Sequence, residues 1–167
     1  IETKYSPNKR AIGIIIGGSN SRSNINHKLK DQLLQIFKNN PDYEYWITTS
    51  RRTERVTEDI INEFKFDYKL IWRNDQYNPI PAFMQICDKL FITDDSASMI
   101  SEAVSYGSAN VIVIETINKT KRNKLKKLTN QLVADGYACF LSNTNTYLNK
   151  KINIENIIKK SLKNVHL

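Results

Sequence analysis

The sequence predicts one α/β domain built on a Rossmann-like, parallel six-stranded sheet with helices on both faces. Three observations lead there. Short β-branched runs alternate with longer segments of helical period, the pattern of βαβ units. Several of the short runs are apolar throughout, as strands covered on both faces require. The length, 167 residues, suits a single domain, here 1–167.

The elements follow in chain order. A first strand is expected at 11–16, and after it Ile25, Leu29, Leu33, Ile36 and Phe37 recur at helical spacing. A second strand at 43–49 precedes a helix marked by Val56, Ile60, Ile61 and Phe64. The third strand is placed at 68–72. Pro79 and Pro81 then open a short helix with the apolar face Phe83, Met84 and Ile86, since a first-turn N–H lacks a partner in any case. After a fourth strand at 89–93, Asp95 or Ser96 is placed to cap a helix that turns Met99, Ile100, Ala103 and Val104 inward and stops at Gly107. A fifth strand at 109–114 leads to a helix carrying Leu125, Leu128, Leu132 and Val133, with Gly136 after it. A sixth strand at 137–141, an Asn-rich stretch at 142–149 and a helix through Ile154, Ile157, Ile158 and Leu162 complete the chain. Strands 11–16 and 89–93 are expected to be parallel neighbours at the reversal of winding, beside which ligands of such sheets collect.

Composition narrows the function classes. The chain opens on Ile1 and a polar segment, 1–10, which reads as a cut within a longer protein. Its longest apolar stretches, 11–16 and 111–114, fall far short of the ~20 residues that span a bilayer, so a soluble, cytoplasmic domain is expected, peripheral to a membrane at most. Cys87 and Cys139 lie in apolar surroundings without C-x-x-C or Cys/His spacing and read as buried thiols, with no metal site. Twenty-five basic against seventeen acidic residues give a net charge of +8, which favours anionic partners. Lys119, Lys121, Arg122, Lys124, Lys126 and Lys127 concentrate the excess in a run that reads first as the solvated face of a helix. A nucleic-acid partner has the charge in its favour but no reading motif, and is disfavoured. His27 and His166, the two histidines, read as surface or helix-end residues, and no catalytic base is visible.

Chemistry is sought in the loops at the carboxyl ends of the strands. After the first strand, Gly17-Gly18-Ser19 leads toward a helix; the glycines permit close backbone approach, and free amides with a helix start suit an anion. The spacing is neither G-x-G-x-x-G nor a P-loop, which argues against dinucleotide binding and P-loop hydrolysis. After the second strand, Ser50-Arg51-Arg52 offers two adjacent guanidiniums for phosphate or carboxylate, although the two cannot point the same way. After the fourth, Asp95-Ser96-Ala97-Ser98 precedes a helix in which Glu102 follows; Ser96 and Ser98 can present hydroxyls and amides to a pyrophosphate, and Glu102 can accept ribose hydroxyls. The plainer reading of that stretch is a helix cap followed by an exposed glutamate.

Together, SRRT at 50–53, NPIPAF at 78–83 and TDDSASMISEA at 93–103 resemble the mitochondrial fission elongated-mitochondria family, over roughly 12–115. Many bacterial members of that family look like glycosyltransferases. The resemblance implies the carboxyl-terminal domain of a two-domain GT-B-like protein, whose amino-terminal half would bind the acceptor. Ser101-Glu102 is also similar to the helix of GT-B glycosyltransferases that build peptidoglycan lipid precursors. That similarity implies that Glu102 holds the donor ribose, that Ser96 and Ser98 face the diphosphate, and that the loop of Tyr77, Asn78 and Ile80 meets the nucleobase. The sequence departs from those enzymes at Asp94-Asp95-Ser96, where they often carry a glycine-rich turn; extra acid there would repel a diphosphate.

Two functions follow as expectations. One is nucleotide-sugar donor binding without metal or organic cofactor, helix dipoles and cations stabilising the departing diphosphate. The other is an interaction module that kept the fold without the chemistry, the basic run from Lys119 then serving as a docking or membrane-surface patch.

Overall fold

The computed structural model describes residues 9–19, 23–24, 28–118, 124–144 and 150–153. Six parallel strands form its sheet: β1 (Ala11–Ile16), β3 (Glu44–Thr49), β4 (Tyr68–Leu70), β5 (Lys89–Thr93), β6 (Asn110–Ile114) and β8 (Cys139–Phe140). Their spatial order is β4-β3-β1-β5-β6-β8, so the winding reverses between β1 and β5. This is the Rossmann order, and β1 and β5 pair in parallel with Ile14 opposite Phe91 and Ile15 opposite Ile92. The helices are α1 (Leu29–Asn39), α2 (Arg55–Asn62), α3 (Ile80–Ile86), α4 (Ala97–Ser105) and α5 (Lys124–Ala134).

Both faces of the sheet are covered, which is why the strands lack polar alternation. Ala11, Ile15, Trp46, Leu90, Ile92, Val111 and Val113 face a core completed by Phe83 and Met84 of α3, Ile100, Ala103 and Val104 of α4, and Leu132 of α5. Ile12, Ile14, Ile16, Ile47, Phe91, Ile112 and Ile114 face the other, closed by Leu29, Leu33 and Ile36 of α1 and Ile61 of α2. Helices following β1 and β3 thus lie on one side, and those following β4, β5 and β6 on the other.

Several expectations are refined. On α2 it is Thr57 and Ile61, four apart, that turn fully inward, whereas Val56 is half exposed at 51 %. The neighbouring Glu58 turns toward Arg73, whose Nε donates to it at 3.2 Å. The third strand ends at Leu70, because Ile71 O accepts the N–H groups of Asn74 and Asp75 in a turn. Ser96 takes the N-cap position of α4 but makes no side-chain cap bond, and Gly107, at φ 68°, follows the end of that helix. A two-stranded antiparallel ribbon, β2 (Ser23–Asn24) with β7 (Ile117–Asn118), joins the loops after β1 and β6 and is too short to show as periodicity. The expected helix through Ile154 to Leu162, Ile25, His27, His166 and the residues Lys119, Lys121 and Arg122 lie outside the described residues. Near the end of the described chain, the Lys151 ammonium donates to the carbonyls of Ala103 (2.8 Å) and Ala109 (2.6 Å), binding the segment to the last turn of α4. No helix among the described residues is long and apolar enough to cross a membrane.

Candidate functional site

The carboxyl ends of β1, β3 and β5 bring Gly17, Gly18, Ser50, Arg52 and Asp95 into one cluster. Ser50 N–H donates to Ile16 O at 3.0 Å, which folds the loop after β3 onto the end of β1. The Thr53 hydroxyl caps the same place, donating to Gly17 O at 2.7 Å and accepting Ser50 N–H at 2.9 Å. Arg52 N–H in turn donates to the Ser50 hydroxyl at 3.2 Å. A Cβ on Gly18 would overlap the main-chain carbonyl of Arg52, so glycine is required for this approach of the two loops.

Asp95 enters the cluster from the other side. Its Oδ2 accepts Gly18 N–H at 3.1 Å, its Oδ1 accepts the Thr93 hydroxyl at 2.6 Å, and Gly17 N–H donates to the same Thr93 oxygen at 2.8 Å. Arg52 Nη2 lies 3.5 Å from Oδ2, its own side chain half exposed and that of Asp95 fully buried. Burial pushes the Asp95 carboxyl above its ordinary range, against the opposing pull of Thr93, Gly18 and Arg52. The amides of Gly17 and Gly18, read from sequence as candidates for a ligand anion, are therefore engaged by Thr93 and Asp95. Both arginines are exposed, and Arg52 leans toward Asp95.

The second acid of the loop is equally committed. Asp94 Oδ1 accepts the N–H of Thr116 at 2.9 Å and its hydroxyl, and Lys126 Nζ donates to Oδ2 at 3.3 Å. The Lys126 ammonium also lies 4.6 Å from the centre of the Phe140 ring. Both carboxylates expected to repel a diphosphate are thus buried against hydrogen-bond donors and cations of the protein.

Beyond Asp95 the chain enters α4. Ser96 is half-buried and Ser98 exposed, and the Ser96 side chain makes no cap bond to the first amides of the helix. Ser98 and Glu102, four residues apart, share the outward face, opposite Ile100, Ala103 and Val104. The Glu102 carboxylate is exposed and has no hydrogen-bond or ion-pair partner among the described residues. In the loop after β4, Tyr77 N–H donates to Asp75 at 2.9 Å and Ile80 N–H to Asn78 at 3.2 Å, and Ile80 packs against the core that holds Trp46 and Phe83. Tyr77 and Asp75 add to the burial that raises the Tyr68 phenol.

Sequence reasoning missed Thr93, Thr53, Thr116 and the pair Arg73–Glu58, whose Nε lies 3.2 Å from Oε2 and whose Nη2 donates to Thr53 O at 3.3 Å. Threonine at a strand's carboxyl end, followed by acid, is the one local signal that all of the Thr93–Asp95 contacts share. Among the described residues, a cavity of about 290 Å³ lies at the amino ends of β5 and β6, lined by Lys89, Asn40, Phe91 and Cys139, and one of about 580 Å³ lies beside the end of β6, lined by Gln32, Glu115 and the Lys126 that pairs with Asp94. No group of three or more metal-ligating side chains occurs among the described residues.

A solved structure, the crystal structure of AnUbiX (PadA1) in complex with FMN and dimethylallyl pyrophosphate, aligns with a TM-score of 0.45 and 11% identity over 92% of this chain and 88% of that one. No curated protein matches the chain. The model of the family described as Mitochondrial fission ELM1 matches residues 2–162, and the chain belongs to that family.

Proposed function

We propose that this domain binds a nucleoside diphosphate sugar, or another ligand of like phosphate chemistry, as the donor half of a GT-B-like glycosyltransferase, the acceptor being held by a further domain. The observation that carries the reading is the placement of α4. Its uncapped start follows β5 at the reversal of winding, and its exposed face runs from Ser98 to Glu102. A diphosphate at that start would meet the amides of Ala97 and Ser98, with Arg51 and Arg52 available from the loop after β3 and ribose hydroxyls directed to Glu102. The loop of Tyr77, Asn78 and Ile80 would then receive the base. Helix amides and guanidiniums supply the positive potential, so the residues present provide for a departing diphosphate without a metal.

A second reading, an interaction module without donor binding, is favoured by one observation: the glycine-loop amides are occupied by Thr93 and Asp95. Thermal unfolding with a panel of nucleoside diphosphates at millimolar concentration separates the two. A donor site raises the melting temperature with at least one of them by mass action; an unchanged melting temperature with all of them leaves the interaction module.

A further inference from the structure

The Asp95 carboxylate gathers a set of donors that a phosphate group would take. One backbone amide (Gly18), one hydroxyl (Thr93) and one guanidinium (Arg52) converge on its two oxygens. Those oxygens lie so close to Gly17 that a Cβ there would overlap both. Such a convergence of loop amide, hydroxyl and arginine is the chemistry of anion recognition. Asparagine would bridge the same two loops through a carbonyl and an NH2, without placing a charge in a buried setting. Closing the loops therefore does not by itself require an acid, and the burial of its charge opposes the folded state.

We propose that Asp95 is an internal stand-in for a ligand phosphate: it holds Gly18, Thr93 and Arg52 in place as an inner phosphate subsite, and a phosphate group of the ligand displaces it on entry. The inference rests on the phosphate-ligand reading above and adds to it the subsite and the competition. A tethered carboxylate competes at the high effective concentration of an intramolecular group, so neutralising it raises affinity for the anion that takes its place. Displacement frees one face of Arg52 for the entering group, while Thr93 remains to donate to it.

The test is calorimetric titration of the full chain with inorganic pyrophosphate, comparing the parent with Asp95→Asn and Asp95→Ser. Asp95→Asn is expected to bind at least tenfold more tightly, because the competing charge is gone and the shape is kept. Asp95→Ser, which removes the charge but also the bridge that holds the donors in place, is expected to show a smaller gain of about two- to fivefold. If the parent binds and Asp95→Asn binds equally or more weakly with an unchanged circular dichroism spectrum, Asp95 is a loop brace and the inference is overturned, while the phosphate-ligand reading stands. If Asp95→Asn does not fold, Asp95→Ser decides: a gain supports the displacement and no gain overturns it. Absence of binding by parent and variants alike overturns both.

Discussion

The Asp95 carboxylate, on the loop after β5, lies against the Cα of Gly17, on the loop after β1, and leaves no space for a side chain there. The contact joins the two strands between which the winding reverses. Gly17→Ala is accordingly expected to destabilise the fold by about 1–3 kcal/mol, the usual range for overpacking. Because the obstructing atoms belong to a side chain, Asp95→Ser in the same chain should recover part of that loss. Gly18→Ala meets the main chain of Arg52 instead, and Asp95→Ser should not relieve it. Urea midpoints of the single and paired variants check both statements; equal rescue of the two glycines would contradict the geometry.

The sign of the pH dependence at Asp95 follows from its raised carboxyl, for which burial is the largest cause. A carboxyl that binds its proton more tightly folded than unfolded contributes stability that is fully present below the ordinary value of 3.8 and lost as pH rises through the raised folded value. Asp95→Asn does not titrate. Its stability relative to the parent should therefore rise with pH across that window and level off above it. Denaturant unfolding of both proteins at a series of pH values reads this directly, and a parent that gains on the variant with rising pH would reverse the assignment.

Among the lysines of α5, Lys126 differs from its neighbours because it pairs with the buried Asp94, the two side chains being 26% and 2% exposed. Lys126→Gln leaves that carboxylate with Thr116 alone and is expected to cost about 1–3 kcal/mol. Lys124 and Lys127 are exposed, and their replacement by glutamine should change stability by no more than about 0.5 kcal/mol and nucleoside diphosphate affinity by no more than about threefold. Melting curves and titrations of the three variants separate the brace from the solvated face; a tenfold loss of affinity in the Lys124 or Lys127 variant would move the site to that face.

These contrasts show what a sequence displays of this fold. All six strands were legible, since runs such as AIGIII and NVIVI are long enough and apolar enough to stand out from amphipathic helices. Burial direction was less so: Val56 is the more apolar residue, yet Thr57 turns inward. The two-residue strands β2 and β7 have no period to read. At the site, Asp95 read as a local cap or a repelling charge because its partner, Gly18, is 77 residues away, and only the closing of the sheet brings the two together. Lys126 was hidden in a run of like residues for the same reason, its partner Asp94 lying 32 residues earlier.

Cys87 and Cys139 are buried free thiols, pushed up to about 12 and about 11 by burial. A thiol held in its neutral form is a poor nucleophile. Neither should react with an aromatic disulfide reagent at pH 8 in the folded protein, and both should react on unfolding in guanidinium chloride. Prompt reaction of the folded protein at either cysteine would contradict the core packing around it.

Calorimetry on a two-by-two set decides whether the outward face of α4 binds a nucleoside diphosphate with Glu102 on its ribose, as proposed. The parent and Glu102→Gln are each titrated with a ribonucleoside diphosphate and its deoxyribose counterpart. Glutamine keeps the shape and one acceptor oxygen, so the exposed position should leave the fold intact. The predicted result is a loss of about 1.5–3 kcal/mol for the ribose ligand on mutation, the scale of a charge-assisted hydrogen bond, and little further loss for the deoxyribose ligand, because both changes remove one contact. Equal binding of the ribose ligand by both proteins, or no binding of any nucleotide at millimolar concentration, would contradict it.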